Sequence, residues 1–149
     1  MAGPLFTIGV FQDATWAERA LGALSADGFP PESLSLLAQA SSGADGLFPS
    51  VLGQEPDRLS LPGLGEVLAA GTLVPVLQGG DAGLTGRGLA STIGRAGFQA
   101  HDGYIYETLV GRGGVLVAVQ HLPRAADALA RMHAYGGGNA AIGAWTGRV

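Results

Sequence analysis

Apolar residues fall in short bursts along this chain, and the spacing within each burst alternates between that of a strand and that of a helix. Near the start, LFTIGVF is dense in β-formers and bounded by Pro4 and Asp13, which predicts a buried strand over residues 6–11. Thr15 and Glu18 then have the spacing of a capping box, Asp13 is a competing cap, and Ala17, Ala20, Leu21 and Leu24 recur at helical spacing. The predicted helix covers 14–27. Gly28 ends it, Pro30 and Pro31 forbid its continuation, and LSLLAQA supplies a second strand over 34–39. Near the other end, GVLVAVQHL predicts a strand over 115–121. Pro123 suits a first helical turn, and Ala125, Ala128, Leu129 and Met132 repeat the earlier spacing over 124–135. Gly136 to Gly138 stop that helix, and part of Ala140 to Trp145 is a fourth strand.

Placing Gly28 over Gly136 superposes Ala17 on Ala125, Ala20 on Ala128, Leu21 on Leu129 and Leu24 on Met132, with Ile8 on Leu116. Two β-α-β halves around one sheet predict a ferredoxin-like α+β fold, with a mainly antiparallel sheet and both helices on a single face. About one domain is expected from 149 residues.

Between the halves lies a stretch this fold does not need. Residues 41–60 are loop-like in composition and predict a mobile loop. Residues 61–113 form a glycine- and alanine-rich, mainly helical insertion. Its first part, LPGLGEVLAAGTLVPVL, is nearly all apolar, but the uncharged run from Val67 to Leu77 is too short to span a bilayer and is interrupted by Gly71 and Pro75. A buried connector, an added strand or hairpin, or a helix are all compatible with it. From Asp81, taken as a cap, a helix through Gly97 carries glycines at 83, 86, 88 and 94. Each interior glycine costs up to about 1 kcal/mol relative to alanine, which predicts close approach of another backbone, with Gly94 as the residue to test. Asp102 caps a further helix through Arg112.

Composition removes several kinds of chemistry. Only 13 % of residues are charged and 47 % are hydrophobic, as in a globular chain. All eight basic residues are arginines, scattered along a chain of net charge −4, so no stripe exists to neutralise a nucleic-acid backbone. Without lysine there is no Schiff-base or P-loop chemistry, and without cysteine no thiol nucleophile, disulfide or thiolate metal site. The first residues lack a basic n-region ahead of an apolar run, which predicts a cytoplasmic protein with no membrane insertion.

The order of features resembles that of the heat-induced or general stress protein 17M-like family of bacterial proteins. The resemblance is carried by the β-α-β start, by Pro62-Gly63-Leu64-Gly65 and Ala69-Ala70-Gly71, by Tyr106-Glu107, and by Gly113-Gly114-Val115-Leu116-Val117. The middle is shorter than in that family's pattern, and Glu66 stands where proline is usual. The resemblance implies a bacterial, cytosolic, stress-associated protein; it brings no reaction and no catalytic residues.

GRGLAS and GLGEVL both fail the dinucleotide fingerprint at its last glycine, and no G-x-S-x-G elbow occurs. His101, His121 and His133 have no metal-ligand spacing to one another, so neither a metal nor a cofactor is expected. The most polar and aromatic constellation is His101, Asp102, Tyr104, Tyr106 and Glu107, the candidate ligand-binding group. Imidazole, carboxylate and phenol close together do acid–base work or hold a ligand. The simpler reading is the stronger: Asp102 as a cap, Tyr104 as a half-buried ring and Glu107 as a solvated or arginine-paired charge explain the same residues. Two functions follow. The preferred one is a non-enzymatic stress protein acting by self-association, as a homo-oligomer, or by contact with a protein partner through the sheet or the glycine-rich helix. The alternative is a ligand-binding or catalytic module with a pocket between sheet and insertion, lined by Tyr104, Tyr106 and His101.

Overall fold

In the computed structural model, residues 6–120, 124–135 and 138–142 are described. They form a mixed α+β fold around one six-stranded sheet in which every neighbouring pair is antiparallel. The strands are β1 (Thr7–Phe11), β2 (Leu34–Gln39), β3 (Asp57–Leu61), β4 (Gly65–Ala70), β5 (Val115–Val119) and β6 (Gly138–Ile142), in the order β3-β4-β2-β5-β1-β6. Helix α1 (Ala14–Ala26) joins β1 to β2, and α6 (Ala125–Ala134) precedes β6. Between β4 and β5 lie α2 (Leu73–Gln78), α3 (Gly83–Arg87), α4 (Leu89–Thr92) and α5 (Ala100–Gly111). The two β-α-β halves interleave: β5 runs between β1 and β2, and β1 runs between β5 and β6.

Both faces of the sheet are covered. Leu21 and Leu24 of α1 and Ala128 and Met132 of α6 share one core with Phe11, Leu36 and Val117, as the single-face expectation required. Alternate residues of the same strands, including Ile8, Leu37 and Leu116, point the other way into a second core with Leu73, Leu84, Ile93 and Tyr106 of the insertion. Every residue of β1 and β5 is buried. Among the described residues, both faces of the central strands are packed against the chain's own helices, whereas β3 at the edge of the sheet is largely exposed.

The N-terminal pattern is realised closely. Asp13, rather than Thr15, is the N-cap of α1, accepting from the Trp16 backbone N–H at 2.9 Å. Asp27 at the other end of that helix is held by the Arg131 guanidinium of α6, and the Asp27 carbonyl accepts from Arg124 at 2.7 Å. The two halves are thus tied across α1 and α6 by the scattered arginines. His121, Pro123, Gly136 and Trp145 lie outside the described residues, as does the His133 side chain.

The middle differs from expectation in three places. Residues 41–60 are not wholly loop: Phe48–Leu52 is a π-turn whose Phe48 and Leu52 enter the first core, and residues 57–60 belong to β3. Glycine, proline and serine concealed these few anchors. The apolar stretch 61–77 is a hairpin turn, β4 and α2 in succession. Pro75 is tolerated because it is the third residue of α2, where its missing N–H has no intrahelical partner to lose. The helix expected over 81–97 is broken: Gly88, at φ 97°, separates α3 from α4, and Ile93–Ala96 is a 3-10 turn.

Asp81 does not cap that segment. Its carboxylate accepts from Arg95 at 2.9 and 2.8 Å and from Arg87 at 2.6 Å, and Arg95 also donates to the Leu77 and Gln78 carbonyls at the end of α2. Gly79 and Gly83 leave the space for that guanidinium, since a Cβ at either would run into Arg95. The hydrogen bond from Arg95, aided by its charge and by that of Arg87, holds the Asp81 carboxyl at about 2, below its ordinary 3.8. A carboxyl depressed in the folded state stabilises above its ordinary value and loses that contribution as pH falls toward the folded value. The stability difference between the protein and Asp81→Asn is accordingly expected well above pH 3.8 and lost as the pH falls toward 2. Because the Asp81 side chain is half exposed, added salt should shrink the difference. Denaturant titrations across that range at two ionic strengths check it.

Candidate functional site

The five candidate residues all lie on α5, which begins a turn earlier than expected. Gln99 is the N-cap and Asp102 the third helical residue, and they form a reciprocal capping box in which Asp102 Oδ2 accepts from the Gln99 backbone N–H at 3.1 Å. Asp102 is therefore half of the cap rather than the cap itself. Helical period then separates the set. Asp102, Gly103, Tyr106 and Val110 form the buried stripe, with Tyr106 only 1 % exposed and edge-on to Phe98 at 5.5 Å between ring centres. His101 and Tyr104 stand on the outer side, Tyr104 at 67 % exposure and His101 with Nε2 3.4 Å from Asp102 Oδ1. Glu107 turns a third way, its Oε1 accepting from the Ala90 N–H at 3.1 Å, so that it completes the start of α4 from another helix. Its carboxylate also lies against Gly63 in the hairpin turn, where a Cβ would come within 2.9 Å of Oε2.

The structure thus brings His101 and Asp102 together, but it sends the two tyrosines in opposite directions and commits Glu107 to the α4 backbone. Tyr106 is buried in the core between sheet and insertion and lines no cleft. Tyr104 instead lines a shallow surface cleft of about 360 Å³ with Ala90, Ser91, Gly94 and Ala100. Among the described residues it is the one large apolar side chain that is exposed. At Gly94 a Cβ would meet nothing within 4 Å, and the same holds at Gly86. The close backbone approach expected at Gly94 is therefore absent among the described residues; it occurs at Gly103, against Ala90 of α4.

A second cleft, of about 600 Å³, does lie between sheet and insertion, but none of His101, Tyr104 and Tyr106 lines it. It follows β3 and the start of α2, with Leu59, Val74 and Pro75 along its wall and the carboxylates of Glu32, Glu55 and Asp57 around it. The two-residue alternation of DRLSL was the available signal, masked by the loop-like residues before it.

Among the described residues no group of three or more histidine or acidic side chains could hold a metal ion, and no helix is long and apolar enough to cross a membrane. No protein-family model, curated protein or solved structure matches the chain.

Proposed function

We propose that this is a non-enzymatic, stress-associated bacterial protein of the cytoplasm, built on a ferredoxin-like core, that acts by self-association through the outer face of its insertion. The strand order β2-β5-β1-β6 supports the core assignment. The family resemblance set out above supports the stress association. Self-association rests on one observation: the exposed Tyr104 ring stands beside a hollow of small residues, with Gly94 open in front of it. A projecting ring and a hollow on the same face are self-complementary under two-fold symmetry, the commonest arrangement of soluble oligomers. Aromatic residues carry much of the contact energy at such interfaces. The dispersal of His101, Asp102, Tyr104, Tyr106 and Glu107 favours this reading over a catalytic one.

Sedimentation of the purified protein tests it. The parent is expected to sediment as a dimer or larger closed assembly and Tyr104→Asp as a folded monomer, whose unfolding temperature is independent of concentration where that of the parent rises with it. Gly94→Leu is expected to behave likewise, since among the described residues nothing lies within 4 Å of a Cβ at Gly94. A parent that stays monomeric at every accessible concentration would refute the proposal.

A further inference from the structure

Among the described residues β3 is the outermost strand on its side of the sheet. We infer that it receives a basic, extended peptide segment of a partner protein, which adds as a further strand alongside Asp57–Leu61. Among the described residues β3 pairs with β4 alone, so one side of its backbone has no partner strand. Such an edge presents N–H and C=O groups in the spacing of another strand, and added peptides gain affinity from main-chain hydrogen bonds and specificity from alternate side chains.

The side chains beside this edge specify the peptide. Asp57 and Leu59 point to the same face of β3 and both line the 600 Å³ cleft. Leu59, Val74 and Pro75 offer an apolar wall, Glu55 and Asp57 place two carboxylates at the β3 end of the cleft, Glu32 adds a third at its inner end before β2, and among the described residues no arginine lines it. Glu32, Glu55 and Asp57 are exposed. The strand's own cation, Arg58, falls on the opposite face by alternation and is paired with Glu66 at 3.3 Å. An added strand would therefore carry arginine or lysine at positions flanking an apolar residue, every second residue facing the cleft. Charge complementarity excludes an acidic segment.

The probe is a short capped peptide in which threonine alternates with arginine, valine and arginine in turn. Binding is followed by backbone amide resonances and by their hydrogen exchange. The arginine peptide is expected to shift the amides of Asp57–Leu61 and slow their exchange, and the same peptide with glutamate for arginine to leave them unchanged. Glu55→Lys should weaken binding by about fivefold or more, the scale of a surface ion pair turned repulsive, with unfolding temperature unaltered. The inference is overturned if the β3 amides do not respond. It is also overturned if spermidine, or the arginine peptide with alternate backbone nitrogens methylated, binds equally well, because charge alone would then account for the interaction. Tyr104→Asp, which bears on self-association, is expected to bind the peptide like the parent.

Discussion

Gly71→Ala is expected to lower the unfolding free energy by about 3 kcal/mol or more, the sum of backbone strain and overpacking. Gly71 follows β4 directly and has φ of 107°, which L side chains rarely adopt. A Cβ there would overlap the Ser35 hydroxyl and lie 2.5 Å from the Ser35 Cα and 2.6 Å from the Leu34 carbonyl oxygen. Neither backbone atom belongs to a movable side chain, so β4 would have to shift against β2, the strand it pairs with. The Ser35 hydroxyl also accepts from the Leu73 N–H at 3.0 Å at the start of α2, so that hydrogen bond is displaced as well. Gly22→Ala is the internal control. Gly22 lies within α1 with nothing inside 4 Å of a Cβ, so alanine there should stabilise by about 0.5–1 kcal/mol through helix propensity. Urea unfolding of both variants checks the pair; equal effects at the two positions would remove the packing explanation.

Gly103→Ala should destabilise by about 1–3 kcal/mol although it improves the intrinsic propensity of α5. Its Cβ would approach the Ala90 carbonyl oxygen to 2.7 Å, the Ala90 Cα to 3.0 Å and Ile93 Cγ2 to 2.6 Å. Propensity and packing have opposite signs here, and a backbone contact decides the outcome because it cannot be relieved by a change of rotamer. The substitution forces α4 away from α5, and with it the Ala90 N–H away from Glu107 Oε1. Loss of that contact should appear as faster exchange of the Ala90 amide. A Gly103→Ala protein as stable as the parent would show that the two helices do not meet at backbone distance.

These two positions illustrate what the sequence could and could not reveal. That glycines in the insertion serve close packing was legible from their cost in a helix; which glycines do so was not. Among the described residues Gly94 and Gly86 face open space, whereas Gly103 meets Ala90 and Gly83 seats Arg95. A single continuous helix through 81–97 was the natural reading of Ala82, Leu89, Ile93 and Ala96. Asp81 looked like its cap because the true partner, Arg95, is fourteen residues away and contact at that range leaves no local mark. By contrast β1, α1, β2 and β5 were legible because their signals are local: a buried run or a helical period, ended by Gly28, Pro30 and Pro31. Of the candidate site, the five residues were identified as neighbours in sequence, but only the placement of the α5 N-cap at Gln99 shows that all five share one helix. Period then divides them between core, surface and α4. The cleft along β3 stayed hidden because its residues come from three separate segments, and no one segment carries enough signal.

Self-association through the Tyr104 face is open to direct measurement because the chain has no cysteine, so Ser91→Cys provides a single attachment point for a spin label at the edge of the hollow. Pulsed dipolar spectroscopy on that variant should show a defined short distance between labels on two copies. The signal should disappear on dilution with unlabelled protein and when Tyr104→Asp is added. The same label introduced by Glu18→Cys, exposed on α1 across the sheet, should give a longer distance. A Ser91→Cys protein with no dipolar coupling, or with a distance longer than that from Glu18→Cys, would contradict assembly through this face.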